Sequence, residues 1–342
     1  MNRVFIHGTG AVSPAGWGVE PLHAAFEHGK PLPISELARP GWQKPLRVRT
    51  VPPPSPRPAF FGHARLRRSS AISQYAVAAS LEALGGDIVK IKDGSLRLGI
   101  VFCAMSGCVN YSRRFYDEVL RDPSTASPLV FPETVFNAPS SHLAALLGTT
   151  AVNYTLVGDP GTFVQGLALA AQWLKEELVN GCLVVGGEEM DWLTADAFGL
   201  FTRELILSDG AGALYLRGDS DGGPGIELAA VTDSHLFSDR PGRANAARLA
   251  AKQLRSTTAD WLCDGRQGIA RLDEPEAAAW AGWRGHRTSP KRILGEGLMA
   301  AATWQCVLAC AAIQGGEARE ALVSVIGCNQ QAIGARFRMS SP

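Results

Sequence analysis

The amino-acid sequence predicts an α/β fold in which short buried strands alternate with helices. Residues 153–190, NYTLVGDPGTFVQGLALAAQWLKEELVNGCLVVGGEEM, carry that alternation most clearly. Two apolar runs, at 154–157 and 182–185, flank a segment rich in Ala, Leu and Gln. That segment has no β-branched residue between Val164 and Val179, which reads as strand, elbow, helix and strand. The pattern recurs upstream, where AISQYAVAASLEAL (71–84) reads as a helix and LGIVFCAMSG (98–107) as a buried strand. A hydrophobic fraction of 46% over 342 residues provides core for one large domain or two medium ones.

Composition removes several classes of function. A net charge of +1 gives no support for nucleic-acid binding. No run of about 18 apolar residues occurs, so no membrane span is expected. The chain opens on the strand-like Val4-Phe5-Ile6, without the basic head and apolar stretch of a signal peptide. The seven cysteines (103, 108, 182, 263, 306, 310 and 328) are odd in number and form no C-x-x-C pair, which reads as reduced core thiols in a cytoplasmic protein. Cys306 and Cys310 share a helix face without a histidine, so packing is expected there and no metal. Gly8-Thr9-Gly10 is followed by Ser13 where a dinucleotide fingerprint needs its third Gly. No cofactor is expected.

Taken in order, the chain begins with a strand from Arg3 that runs into a Gly/Pro turn. Residues 31–68 are rich in Pro and carry Arg39, Lys44, Arg47, Arg49, Arg57, Arg65, Arg67 and Arg68 against Glu36 alone; they predict an irregular surface excursion. A helix with a Ser cap follows and stops at Gly85-Gly86. Cys103 and Cys108 neither open a recognisable helix nor have a histidine nearby in sequence, which makes them poor nucleophiles. Residues 131–148 read as loop plus helix, with His142 on the helix surface or at an interface. The elbow Gly158-Asp159-Pro160-Gly161 predicts a helix start, since Asp caps well and Pro suits the first helical position. Such an elbow is where many folds hold a nucleophile, because the helix dipole favours an anion there; this one offers neither thiol nor serine. Residues 219–225, DSDGGPG, mark the clearest internal boundary. Beyond them come a strand (226–231), helices near 244–254 and up to Ile313, and closing strands at 321–327 and 333–339, the last with the alternation of a half-exposed strand.

The elbow segment resembles the nucleophile region of the β-ketoacyl synthases, in the thiolase-like superfamily. There an N-Y-x-I/L strand leads to an elbow Cys, a helix and a strand ending A-G-G-x-E. Asn153-Tyr154-Thr155-Leu156 and Val184-Val185-Gly186-Gly187-Glu188-Glu189 match the two ends, and the elbow Cys falls on Pro160. RVFIHGTGAVSPAG (3–16), the Q-Y-A helix and LILSDGAGALYL (205–216) resemble further segments of the family. Asp273, Glu276 and Ala279 fit its D-x-x-E-x-x-A pattern, which puts the first catalytic His on Gly265; no His lies between His235 and His286. Lys291 and Gly295 fit T-K-S-x-x-G-His, which puts the second on Glu296. The family's G-F-G-G-T-N-A turn is replaced by Ile326-Gly327-Cys328-Asn329-Gln330-Gln331-Ala332.

The resemblance implies a thiolase-like five-layer α-β-α-β-α fold built from two similar halves, 1–218 and 226–342. The family's condensation needs a thiolate to carry the acyl chain and two imidazoles to stabilise the enolate oxygen. With Pro160, Gly265 and Glu296 in those places, what remains is scaffold: Asp273, Glu276 and Lys291, the last two expected to pair. The resemblance therefore implies a non-catalytic subunit of the chain-length-factor kind, nearest the aryl-polyene and type II polyketide systems. Such a subunit forms a heterodimer with an active β-ketoacyl synthase, here through residues 131–156, and bounds the tunnel for the growing acyl chain. An acyl carrier protein is the further implied partner, and Arg65, Arg67 and Arg68 are the docking candidates, because carriers are acidic. Two alternatives stand beside this reading. One is a homodimeric scaffold that binds an acyl carrier or lipid. The other is an acyltransferase or hydrolase that uses Cys328 or Ser208, against which the absence of G-x-S-x-G counts.

Overall fold

The computed structural model describes residues 3–220 and 222–340. The first part holds β1 (Phe5–Ser13), β2 (Gly16–Trp17), α1 (Val19–His28), β3 (Ser35–Leu37), β4 (Leu46–Arg49), α2 (Ala71–Leu84), α3 (Ile88–Lys92), β5 (Leu98–Ala104), α4 (Val109–Arg121) and α5 (Ala138–Leu147). Then come β6 (Asn153–Val157), α6 (Thr162–Lys175), β7 (Gly181–Glu188), α7 (Trp192–Phe201), β8 (Leu207–Ser208) and β9 (Gly210–Arg217). The remainder supplies β10 (Ile226–Val231), β11 (His235–Leu236), α8 (Arg240–Leu254), β12 (Trp261–Cys263), α9 (Ala270–Ala279), β13 (His286–Thr288), α10 (Pro290–Leu294), α11 (Met299–Gln314), β14 (Glu320–Ile326) and β15 (Gln331–Met339).

The main strands follow the order β13-β12-β14-β15-β10-β1-β9-β7-β5-β6. Each end of that order runs alike: three parallel strands, then two antiparallel ones. The two runs meet where Phe5 and Ile6 of β1 pair with Glu227 and Ile226 of β10. The central strands β5, β7, β9 and β14 are buried on both faces, so they read as continuous apolar runs, and alternate residues serve different cores. Along β5, Ile100 and Phe102 pack with α2 and α5, while Val101 and Cys103 pack with α6 and α11. On the far side α8 and α9 cover Leu262, Leu322 and Ile326. The layers are thus α2/α5, sheet, α6/α11, sheet and α8/α9, the five-layer thiolase-like arrangement. α11 lies at the centre, and every residue from Met299 to Cys310 is buried; a helix apolar all round has no water-facing stripe to show.

Four expectations need correction. The 31–68 excursion is not wholly irregular, because β3 and β4 form a small sheet with β8, and Arg49 is buried with its Nε donating to the Leu32 carbonyl (2.8 Å). Ser70 stands at the start of α2 but makes no side-chain cap; its hydroxyl meets Ser73 Oγ at 3.1 Å. β15 is buried at its start, where Gly334 lies against Leu254 of α8, while Arg336 and Arg338 keep the expected alternation. α6 begins at Thr162, two residues after Pro160. Of the 219–225 boundary, Asp221 lies outside the described residues. No helix among the described residues is long and apolar enough to cross a membrane.

Candidate functional site

The strand β6 delivers the chain to the elbow, and Asp159 decides what the elbow does. Its carboxylate is buried and accepts four hydrogen bonds. Oδ1 takes the Gly161 amide (3.1 Å) and Gln331 Nε2 (3.2 Å), and Oδ2 takes the backbone amides of Gln330 (3.2 Å) and Gln331 (3.3 Å). Gln330 Oε1 in turn accepts the Asp159 amide at 3.3 Å. The elbow is therefore bolted to the β14–β15 turn. Gly327 makes room for the bolt, since a Cβ there would lie 1.7 Å from Asp159 Oδ2. Gln331 extends the network to Thr162, Gln165 and Ser234. Pro160 sits buried within this turn with no group to donate or attack.

A second polar cluster holds the other expected positions. Lys291 Nζ donates to Glu296 Oε2 at 2.6 Å, both side chains being buried. The same oxygen takes Gln267 Nε2 (2.7 Å), and Oε1 takes the Leu298 amide (2.9 Å). Burial pulls the Lys291 ammonium down, but the Glu296 carboxylate more than offsets it and holds the pKa above the ordinary value. The expected Lys291–Glu276 ion pair gives way to Lys291–Glu296. Glu276 instead accepts Ser324 Oγ (2.6 Å) and the Gly265 amide (3.0 Å), and burial, reinforced by Asp264, pushes its pKa above the ordinary carboxyl value. Gly265 lies against both groups, because a Cβ there would be 3.4 Å from Glu276 Oε2 and 3.7 Å from Lys291 Nζ. Asp273 fastens the loop before α9 by accepting the Gln267 and Gly268 amides, each at 2.8 Å. Leu298, at φ 50, opens α11 in a backbone region that side chains rarely adopt, and Glu296 pins its amide.

Sequence reasoning brought Gly265, Glu276, Lys291 and Glu296 to one place, and the structure keeps them there. It missed Asp159 as a bolt with Gln331 as its polar partner, Gln267 as a partner of Glu296, and Asp264, whose fully buried carboxylate binds Arg266, Arg287 and Ser289. A lone Asp before Pro reads as a helix cap, and only the fold reveals the turn, 171 residues away, that it holds.

The spare nucleophiles are unpromising. Burial pushes the Cys328 thiol well above its ordinary range, with the Glu296 charge adding to the effect. Ser208 Oγ is buried with no hydrogen-bond partner among the described residues, so no base among them touches it. Cys108, contrary to expectation, does open a helix, at the N-cap of α4, yet burial pushes it up to about 12. His142 is buried rather than surface-lying and pairs with Glu133 at 2.9 Å. Among the described residues, no three His, Cys, Asp or Glu side chains form a cluster fit for a metal. Arg65, Arg67 and Arg68 are all exposed, and Arg65 and Arg68 border a cleft of about 420 Å³ with Leu129, Val135, Glu133 and His142.

β6 is the last strand of the sheet and leaves Tyr154 and Val157 exposed. Leu129, Phe131, Val135 and Phe136 are exposed as well. No sequence-family model matches the chain, and no curated protein does. Solved structures do. The ishigamide ketosynthase/chain length factor superposes with a TM-score of 0.80 at 18% identity, over 99% of this chain and 100% of that one. This chain has the ketosynthase fold. The ketosynthase ApeO in complex with its chain length factor ApeC, from Xenorhabdus doucetiae, gives 0.81 at 14% identity, over 99% and 98%. A type II polyketide acyl-carrier protein in complex with its ketosynthase, AntDE:AntF, gives 0.78 at 16% identity, over 99% of each chain.

Proposed function

We propose that this chain is a non-catalytic ketosynthase-like subunit, a chain-length factor that pairs with an active β-ketoacyl synthase and shapes its acyl tunnel. One observation carries the reading. All three positions that the ketosynthase pattern gives to nucleophile and imidazoles hold groups without that chemistry, and the Asp159 and Glu296 networks engage the polar groups around them. Pro160 has no nucleophilic atom and Gly265 no side chain. Glu296 is a carboxylate bound to Lys291, which would oppose rather than stabilise an enolate. The halves 1–218 and 226–342 act as the two repeats of the fold. The exposed edge of β6, with its apolar neighbours from Leu129 to Phe136, supports pairing through residues 131–156, because unpaired strand edges and contiguous apolar surface ask for a cover. Similar structures include a ketosynthase with its chain length factor and one with its acyl-carrier protein, which supports the same partners here. The exposed arginines 65, 67 and 68 form the face that meets the acidic carrier.

Co-expression with an adjacent ketosynthase, followed by purification through a tag on this chain alone, tests the proposal. A stable one-to-one complex that elongates acyl chains only when both subunits are present is the expected result. A well-behaved homodimer that ignores the ketosynthase would overturn it. Within the complex, replacing Arg65, Arg67 and Arg68 by Ser should weaken carrier binding and flatten its salt dependence; unchanged affinity would remove these arginines from the docking face.

A further inference from the structure

A polar cleft of about 520 Å³ lies at the end of the sheet opposite the elbow, where β5 and β7 begin and β9 ends. Arg3, Lys90, Arg97, Lys175 and Arg217 line it, from five separate stretches of chain, together with the acids Glu177 and Asp219. The carboxylates around these cations are shared. Arg3 and Arg338 both hold Glu227 Oε2 (2.8 and 3.0 Å), and Lys90 and Arg217 both hold Asp87 (2.7 and 3.2 Å). Arg217 also reaches Asp219 at 2.9 Å. With Arg97, Lys175 and Glu177 included, six cations face four carboxylates. The excess falls on Arg97 and Lys175, which form no ion pair among the described residues. Both side chains are exposed, so a ligand in the cleft can reach them.

Arg97 is nonetheless held in place, by neutral acceptors. Its Nε donates to Asn180 Oδ1 (3.3 Å) and its Nη2 to the Glu177 carbonyl (2.9 Å), while its own carbonyl accepts the Asn180 and Gly181 amides (3.0 and 3.2 Å). Such tethers orient the guanidinium without cancelling its charge. The Glu177 carbonyl reaches it because Glu177 closes α6 in the left-handed region, at φ 57, with its amide and that of Leu178 returning to the Leu174 and Trp173 carbonyls. Glycine is the ordinary residue at such a helix end, and a larger one is strained there. A single phosphate would engage one or two of these cations, whereas a chain of phosphates can span cations set around a cleft of this size. The wall adds Ser95 and Asn180 as polar groups and holds no aromatic ring on which a base could stack. We propose that this cleft binds a triphosphate chain, free or carried by a nucleotide, with Arg97 and Lys175 as its principal contacts and no selection among bases. It uses none of the residues assigned above to subunit pairing or carrier docking, which co-purification and carrier binding read separately.

Calorimetric titration of the full-length protein in magnesium-free chloride buffer, with tripolyphosphate, ATP, GTP and inorganic phosphate, provides the test. ATP and GTP should bind saturably and within about threefold of each other, and inorganic phosphate at least about tenfold more weakly. Tripolyphosphate binding as tightly as ATP would assign the site to the free chain, and weaker saturable binding to nucleotides; either supports a triphosphate site. Arg97→Gln and Lys175→Gln should each weaken ATP about fivefold or more. Lys175 makes no hydrogen bond within the fold, so its variant keeps the test valid if Arg97→Gln folds poorly. Glu177→Gly removes an acid from the wall and suits the left-handed turn, so it should tighten ATP and raise Tm together. Lys252→Gln, the same charge change on the exposed face of α8, should stay within about twofold of the wild type. Inorganic phosphate binding as tightly as ATP, Lys175→Gln binding like the wild type, or an equal loss in Lys252→Gln would overturn the site.

Discussion

Replacing Glu296 by Gln should damage the chain more than replacing Glu296 and Lys291 together. Glu296 Oε2 lies 2.6 Å from Lys291 Nζ and 2.7 Å from Gln267 Nε2, while Oε1 holds the Leu298 amide. In Glu296→Gln the amide oxygen can keep Leu298. Its NH₂ group then faces an ammonium and a second amide, donor against donor, and the buried Lys291 charge loses its counter-ion. Removing one partner of a buried pair costs roughly 3–5 kcal/mol. For a chain of 342 residues the unfolding entropy is about 0.7 kcal/mol per degree, so the loss appears as a fall in Tm of roughly 4–7 °C. The double variant Glu296→Gln/Lys291→Met removes the stranded charge as well, and should recover at least about 2 kcal/mol of the single variant's loss. Urea unfolding of the four corners of the cycle measures this directly. A single variant within about 1 kcal/mol of the wild type, or a double variant worse than the single, would refute the claim that the pair is buried and mutually dependent.

Other perturbations have equally definite outcomes. Gly327→Ala places a methyl group 1.7 Å from Asp159 Oδ2, so the elbow must separate from the β14–β15 turn; a loss of about 1–3 kcal/mol in urea unfolding is expected, and a neutral result would contradict the bolt. Burial pushes Glu188 up to about 8, Glu189 to about 7 and Asp209 to about 6. Carboxyls raised in the folded state favour folding at low pH, and that contribution is lost as pH rises through those values. Glu188→Gln has no proton to lose, so its Tm deficit should shrink from about pH 6 to about pH 9; a constant deficit would count against a raised Glu188. With every described cysteine buried or half-buried and the Cys328 thiol pushed up, native alkylation near pH 7 should be much slower than in denaturant for all seven. Fast, selective labelling of Cys328 would revive the enzymatic alternative.

The architecture was legible because the central strands of the sheets are buried on two faces. Strands such as 98–104 and 181–188 then appear as uninterrupted apolar runs, and the helices between them are set off by Gly and Pro. Local chemistry was less legible where a long-range partner decides the outcome. Nothing in the sequence around Lys291 indicates that its counter-ion is Glu296, five residues on, rather than Glu276; the choice depends on the backbone bend at Gly295 and Leu298, both at positive φ. α4 escaped notice because Cys108 is a poor cap in sequence. Its helix start is served from elsewhere, by Glu189, which accepts the Asn110 amide at 2.8 Å and the Ile72 amide of α2 at 3.2 Å.

That last contact belongs to a wider pattern in how this chain treats helix N-termini. A helix start concentrates unpaired N–H groups and positive potential, and it is where a thiolate or a developing oxyanion gains most. The two central helices, α6 and α11, begin at the elbows that the ketosynthase pattern would use. In each case a side-chain carboxylate of the chain itself lies on the entering backbone: Asp159 on the Gly161 amide before α6, Glu296 on the Leu298 amide before α11. Both carboxylates are buried and fully partnered, by Gln331 and by Lys291 with Gln267. Placing a cysteine at 160 alone would therefore put a thiol beside a fixed negative charge, which raises a thiol pKa instead of lowering it. An activated nucleophile at this elbow would require removing the Asp159 charge as well, and with it the contacts that join the elbow to the β14–β15 turn.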